Sequence, residues 1–163
     1  MVAVHPDVAV LCTLLGTWLG EGRGEYPTIA SFGYREEISF GHVGKPFLAY
    51  HQRTTATDDG RPLHAETGYL RVPQPGRIEL VLAHPTGVTE IAEGSFTGDD
   101  ADLAIEVAAS AIGRTASAKV VTAVARSIRV TGDELSYTVR MAAVGQPLQH
   151  HLAATLRRAA RER

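Results

Sequence analysis

Short segments in which apolar and polar or small residues alternate strictly, separated by turn sequences, restrict the fold of this chain more than any other feature. The alternation is clearest over 78–83, 103–108 and 135–141. A period of two places alternate side chains on opposite faces of a β-strand, so these segments predict strands. Turn signals rich in Gly, Pro, Asp and Thr lie between the strand segments, at 58–60, 73–76, 85–87, 97–100 and 131–133. Regular strand spacing with short turns indicates an antiparallel meander.

One short helix precedes the strands. Pro6 and Asp7 suit the first turn of a helix, apolar residues then recur at helical spacing, and Gly16 ends the run, which predicts a helix over 6–15. The rest of the chain predicts ten strands, at 16–24, 32–41, 46–55, 63–72, 77–83, 87–96, 102–109, 118–130, 134–144 and 147–157. This pattern favours a closed up-and-down barrel, because closure removes both edges of the sheet.

A ten-stranded barrel is wide enough to hold a small ligand. The chain has 163 residues and shows no repeat, linker or low-complexity tract, so we expect one domain over 1–163. The fold prediction is therefore an all-β, ten-stranded antiparallel barrel with a short N-terminal helix and a ligand cavity.

The first predicted strand is rich in glycine. Four glycines surround Trp18, the only tryptophan, between Gly16 and Gly24. Glycine in a strand marks a bend, a bulge or the close approach of another group. We expect this segment to bend at the barrel wall and to leave room for something flat or bulky, with Trp18 in the core. No helix follows it, which disfavours a phosphate-binding loop.

Charge and cysteine content exclude several classes of partner. The formal net charge is −2 and the basic residues are scattered, which argues against nucleic acid and anionic membrane. The one cysteine, Cys12, excludes an intramolecular disulfide and fits a reducing compartment. No apolar run is long enough for a membrane span, and no signal peptide is recognisable. We expect a cytoplasmic protein that binds small molecules, with a homodimer allowed.

The histidines and carboxylates do not form a recognisable catalytic or zinc motif by their spacing. Four histidines are expected on turns or strand surfaces, namely His42, His51, His64 and His84. The strand carboxylates are expected on solvated outer faces, namely Glu36, Glu37, Glu66, Glu79, Glu90, Glu93 and Glu106.

Two adjacent histidines, His150 and His151, stand out in the last strand. Neighbouring residues of a strand point to opposite faces, so only one of the two faces the barrel interior. Hydrophobicity favours His150, which shares its face with leucines such as Leu152. The need for space beside a flat ligand favours His151, which shares its face with the small residues Ala153 and Thr155. Alternation alone leaves the choice open.

Two motifs carry a family resemblance. The first is Gly-x-Trp-x-Gly-x-Gly-x-Gly-x-Tyr-Pro-Thr-Ile at 16–29, and the second is His-Leu-x-Ala-x-Leu-x-Arg at 151–158. Segments 34–40, 44–48, 64–71 and 79–85 are also family-like. With these motifs, the chain resembles nitrobindin, a family of haem-containing β-barrels, and it is most similar to the stand-alone bacterial members. The resemblance extends from about residue 14 to residue 158.

The resemblance implies a barrel related in shape to lipocalins and fatty-acid-binding proteins, with ferric b-type haem in its cavity. It implies that His151 is the axial iron ligand and that Thr28 lies at the haem, with His150 as the poorer candidate. One imidazole ligand leaves a position on the iron open.

The implied activity is isomerisation of peroxynitrite to nitrate together with reversible binding of nitric oxide, with no catalytic residue beyond the haem iron. Two alternatives remain open. One is a non-enzymatic barrel that carries a fatty acid or another apolar molecule, and the other is a sensor of nitric oxide or haem.

Overall fold

Ten antiparallel strands close into a barrel in the computed structural model, which describes residues 2–160. Each strand pairs with its neighbours in the chain, and β1 pairs with β10 to close the sheet. The predicted all-β barrel is confirmed, with every predicted strand present and its ends shifted by at most five residues. The strands are β1 Gly16–Tyr26, β2 Ile29–Gly41, β3 Leu48–Ala56, β4 Pro62–Gln74, β5 Arg77–His84, β6 Val88–Gly98, β7 Asp102–Arg114, β8 Val121–Thr131, β9 Glu134–Ala143 and β10 Gln149–Arg158.

The predicted N-terminal helix is a 3₁₀ helix, Pro6–Leu14. Its buried residues Val8, Leu11 and Leu14 are spaced by three, and a helix with three residues per turn places all of them in one row. This row packs into one end of the barrel and closes it. Within residues 2–160 no helix is long and apolar enough to cross a membrane.

Trp18 and Arg158 fasten the helix to the closed end. The fully buried indole of Trp18 donates a hydrogen bond to the Leu14 carbonyl at 2.8 Å, which confirms its expected place in the core. The Arg158 guanidinium lies 4.2 Å from the centre of the Trp18 ring, close enough for a cation–π contact. It also donates to the carbonyls of Thr13 and Leu15, so the end of the helix has hydrogen-bond partners from the barrel.

The glycines of β1 make room for aromatic side chains of β2. Gly22 pairs with Tyr34 and Gly24 with Phe32, and a Cβ atom at either glycine would lie 2.3 or 2.2 Å from the facing ring. At Gly20 the close neighbour is the β10 backbone, 2.2 Å from a Cβ position. The flat groups beside Gly22 and Gly24 are therefore aromatic rings of the protein itself.

The opposite end of the barrel is open. Five turns surround its mouth, those after β1, β3, β5, β7 and β9, because odd-numbered strands run away from the helix. Exposed apolar side chains lie in or beside these turns, namely Ile29, Leu63, Val120, Val144 and Leu148. An apolar rim around a cavity mouth is typical of a site that an apolar ligand covers.

Candidate ligand-binding cavity

A cavity of about 520 Å³ lies inside the barrel and reaches the open end. This volume is within the usual range for sites that hold a cofactor or another small molecule. Its walls are mainly apolar, with Phe32 and Leu152 towards the mouth and Leu80 towards the closed end. A few polar and charged side chains also face it, and they form three groups, one at His151, one around Arg126 and one around Glu36.

A β-bulge turns His151 into the cavity. The pairing of β10 with β9 shifts between His150 and Leu152, and such a shift interrupts the regular alternation of faces. His151 and Leu152 consequently both line the cavity, although they are neighbours in sequence. His150 is exposed, and its Nε2 lies 4.0 Å from the Glu25 carboxylate.

The bulge corrects one sequence-based expectation. Ala153 and Thr155 were expected to share the inner face with His151 and to leave space beside it. Instead Thr155 is exposed, and Ala154 and Leu156 are buried. The bulge shifts the alternation by one residue, so even-numbered positions face inward after His151. Space beside the imidazole comes from the cavity itself.

The imidazole of His151 is held with one nitrogen free. Its Nδ1 lies 3.0 Å from the carbonyl oxygen of Glu25, which can only accept, so Nδ1 carries the proton. The edge of the ring meets the Tyr26 ring, with centroids 5.3 Å apart. No hydrogen-bond partner of Nε2 occurs among residues 2–160.

Burial lowers the pKa of His151, the hydrogen bond to the Glu25 carbonyl opposes this effect, and the charges of His150 and of His64 across the cavity lower the pKa further. The ring is thus favoured in its neutral form, with a lone pair on Nε2. A histidine that ligates a metal is neutral and donates its other N–H to an acceptor such as a carbonyl. His151 meets both conditions, and no sequence pattern points to the Glu25 carbonyl as its partner.

Thr28 lies in the turn between β1 and β2, where it is exposed at the rim of the mouth. Its neighbour Ile29 lines the cavity. The structure therefore brings the two predicted site residues to the same end of the barrel, with His151 inside and Thr28 at the edge.

Three carboxylates predicted on outer faces are instead buried inside the barrel, namely Glu36, Glu66 and Glu90. His84 is also largely buried and His64 half-buried, and both line the cavity rather than the surface. The prediction was wrong because each of these residues lies an even number of positions from buried apolar residues on its own strand, and therefore points to the same face. Glu36, for example, lies two positions from the buried Tyr34 and from the buried Ile38, on the same inner face.

Arg126 of β8 neutralises part of this buried charge. Its guanidinium donates to Glu66 at 3.0 Å and to Glu90 at 2.7 Å. Burial alone would raise the pKa of Glu66, but the Arg126 charge together with His64, His84 and the Tyr50 hydroxyl outweighs it and holds the pKa far below the usual value. The pKa of Glu90 is also lowered, because hydrogen bonds from His84 and Arg126 exceed the effect of burial. Both carboxylates are therefore charged at neutral pH.

His84 connects the two carboxylates. Its Nε2 lies 2.5 Å from Glu90, and its Nδ1 lies 3.3 Å from Glu66. The Nε2 atom of His64 lies 3.2 Å from the same Nδ1. These residues are on β4, β5 and β6, and β5 is five strands from β10 in either direction around the barrel. The cluster therefore occupies the wall opposite His151.

Glu36 belongs to a separate hydrogen-bonded group. It accepts hydrogen bonds from Gln52 at 2.8 Å and from the Tyr137 hydroxyl at 2.7 Å. Burial raises its pKa to about 7, because these two hydrogen bonds only partly offset the loss of water. Glu36 is thus the buried carboxyl that titrates near neutral pH.

Comparisons with known proteins identify the family of this barrel. The family model described as "THAP4-like, heme-binding beta-barrel domain" matches residues 7–158. A Nocardia farcinica protein named peroxynitrite isomerase is 64% identical over 96% of this chain and 94% of its own length. Peroxynitrite isomerase 1 of Mycolicibacterium paratuberculosis is 63% identical over 95% of this chain and 96% of its own. The crystal structure of Rv2717c from Mycobacterium tuberculosis superposes with a TM-score of 0.94 at 53% identity, covering 97% of this chain and 100% of that one.

Proposed function

Since the chain belongs to the family of THAP4-like haem-binding β-barrel domains, we propose that it is a haem-dependent peroxynitrite isomerase in which His151 ligates the iron. The family agrees with the resemblance to nitrobindin. Full-length similarity to relatives named peroxynitrite isomerase supports the activity. The observation that carries the ligand assignment is the orientation of the His151 ring in the cavity, with Nδ1 bound to the Glu25 carbonyl and Nε2 without a hydrogen-bond partner among residues 2–160.

The residues at the cavity mouth fit a haem group. A neutral imidazole supplies the donor that haem iron takes from proteins, and Phe32 and Leu152 supply apolar walls for a flat macrocycle. The exposed Ile29 and Leu63 would lose contact with water under such a ligand. When bound, ferric b-type haem supplies an iron with one position open to a small ligand.

The protein's own contribution is positioning. The Glu25 carbonyl and the Tyr26 ring hold the His151 imidazole in one orientation, so the lone pair of Nε2 is fixed before a ligand arrives. The open mouth would give a small anion access to the site. Thr28 at the rim is placed to contact the edge of a ligand that covers the mouth.

The buried charges disfavour a carrier of fatty acids. A fatty-acid carboxylate is best bound beside a cation, and among residues 2–160 two arginines line the cavity. Arg61 at the mouth is paired with Asp58 and Asp59, and Arg126 inside lies near three buried carboxylates. Arg126 already binds two of them, Glu66 and Glu90. A fatty-acid carboxylate buried beside Arg126 would therefore be repelled by these two charges.

Haem binding is tested first. Purified protein titrated with haemin is expected to bind one haem per chain and to show a ferric Soret band. We expect His151→Ala to abolish this band and the matched variant His150→Ala to retain it, because His150 is exposed outside the cavity. A band that survives in His151→Ala would refute the ligand assignment.

Activity is tested by stopped-flow decay of peroxynitrite with the yield of nitrate measured. The haem-loaded protein is expected to accelerate decay and to raise the nitrate yield, and the haem-free protein to do neither. Titration with nitric oxide then tests reversible binding by the shift of the Soret band. Reversible nitric oxide binding without faster peroxynitrite decay would point to a sensor.

A further inference from the structure

We propose that His64, Glu66 and His84 form a binding site for one divalent transition-metal ion such as Zn²⁺, on the cavity wall opposite His151. The site lies near the open ends of β4 and β5 and uses no residue assigned to haem. It therefore adds a second metal to the cavity, and its test does not depend on the isomerase activity.

The three ligand atoms already have the spacing of a metal site. His64 Nε2 and His84 Nδ1 are 3.2 Å apart, and each lies close to Glu66 Oε2, at 3.5 Å and 3.3 Å respectively. An ion bound tetrahedrally at about 2.0–2.1 Å from nitrogen and oxygen ligands separates those ligands by about 3.3–3.4 Å. A Zn²⁺ ion fits over this triangle with shifts of a few tenths of an ångström.

The outer partners of a metal site are also present. His84 uses its other nitrogen to bind Glu90, which gives the carboxylate–histidine–metal arrangement that orients ligating imidazoles. The second oxygen of Glu66 accepts hydrogen bonds from the Tyr50 hydroxyl at 2.7 Å and from Arg126 at 3.0 Å. These contacts fix both ligands in place, and an ion at Glu66 Oε2 would share that oxygen with Arg126, which donates to it at 3.4 Å.

The charge and shape of the cluster favour a cation with an open position. Glu66 and Glu90 carry two negative charges against the single positive charge of Arg126, so a bound cation offsets an excess of negative charge in a buried place. His64 is half-buried and faces the cavity. The fourth ligand would therefore come from the cavity, as water or a small anion.

The test is calorimetric titration of the haem-loaded, full-length protein with Zn²⁺, with zinc content measured after gel filtration. We expect one Zn²⁺ per chain. His64→Ala and His84→Ala are expected to weaken binding by about 100-fold or more, and Glu90→Gln by about 10- to 100-fold, the usual cost of losing an outer partner. The matched control His51→Ala should bind normally, because His51 is exposed and outside the cluster. Titration of haem-free protein with Co²⁺ should give the visible bands of a tetrahedral site.

Absence of saturable Zn²⁺ binding would overturn the proposal. It would also be overturned if His51→Ala weakened the Zn²⁺ affinity as much as His64→Ala does, or if a folded His64→Ala bound Zn²⁺ with unchanged affinity. Circular dichroism and thermal unfolding verify that each variant is folded. If the more buried His84→Ala does not fold, the half-buried His64→Ala still decides the question. The Soret band is recorded on every sample, so failure of the zinc site is distinguishable from failure of haem binding.

Discussion

Replacing Glu36 with glutamine is expected to stabilise the protein above neutral pH and to have little effect in mild acid. Burial raises the pKa of Glu36 from 4.5 to about 7, with Gln52 and Tyr137 donating the hydrogen bonds that limit the shift. Between these two pH values the unfolded chain loses the proton while the folded chain keeps it. The contribution of Glu36 to stability is therefore fully present below about pH 4.5 and lost as the pH rises through about 7.

The magnitude follows from the two pKa values. At about 1.4 kcal/mol per pKa unit, a change from 4.5 to about 7 corresponds to about 3 kcal/mol at pH 8 and above. Glutamine removes the ionisation and keeps an oxygen that can accept from Tyr137. Its amide can also donate to the Gln52 carbonyl oxygen, which has no partner among residues 2–160.

The assay is urea unfolding of haem-free wild type and Glu36→Gln at several pH values between about 5 and 8, with the difference in unfolding free energy as the readout. Effects of Glu66 and Glu90 cancel in this difference because both proteins contain them. The neighbouring Glu37→Gln is the matched control, since Glu37 lies in a more exposed pair with Arg53 and should show a flat difference below about 1 kcal/mol. A flat profile for Glu36→Gln would refute the argument from burial.

Three further perturbations test other parts of the barrel. Gly22→Ala should destabilise the protein by about 1–3 kcal/mol in urea unfolding, because its Cβ would lie 2.3 Å from the aromatic ring opposite on β2. Arg126→Leu should cost about 3–5 kcal/mol at pH 7, since two buried carboxylates lose their cation, and the loss should shrink in acid as they become protonated. Deleting His150 should remove the bulge and put His151 at the outward place of the deleted residue, so the barrel should fold but fail to show a Soret band with haemin. A normal band in that deletion would contradict the role given to the bulge.

Sequence patterns were sufficient for the barrel because its strands depend on local information. Alternation and turn residues are read within about ten residues, and antiparallel neighbours need only a short turn. The strand predicted over 102–109 is shorter than β7, because Ala, Ser and Gly occupy most positions of its second half, where Ile112 is the one large apolar residue. Such residues carry little hydrophobic signal, although the backbone of β7 continues to Arg114.

The buried charge cluster was not predictable from spacing. Glu66 and Arg126 are separated by 60 residues, and their contact depends on two strands facing each other across the barrel. The alternation pattern does indicate that Glu90 is buried, because on β6 it lies two positions from the buried Val88 and two from the buried Ala92. A buried carboxylate in that pattern implies a buried cation, but the sequence contains many arginines and does not identify which one.

The choice between His150 and His151 shows why alternation alone does not predict which side chain faces the cavity. Pattern analysis assumes an unbroken period of two, and one inserted residue reverses the face of everything that follows. In β10 the leucine and alanine positions from Leu152 onward obey the alternation of the barrel wall, while the two histidines lie where that alternation changes phase. A regular strand would have to give up either an apolar side chain or the imidazole on its inner face. The bulge keeps both, so the irregularity that defeats the sequence pattern is also what places the proposed iron ligand inside the cavity.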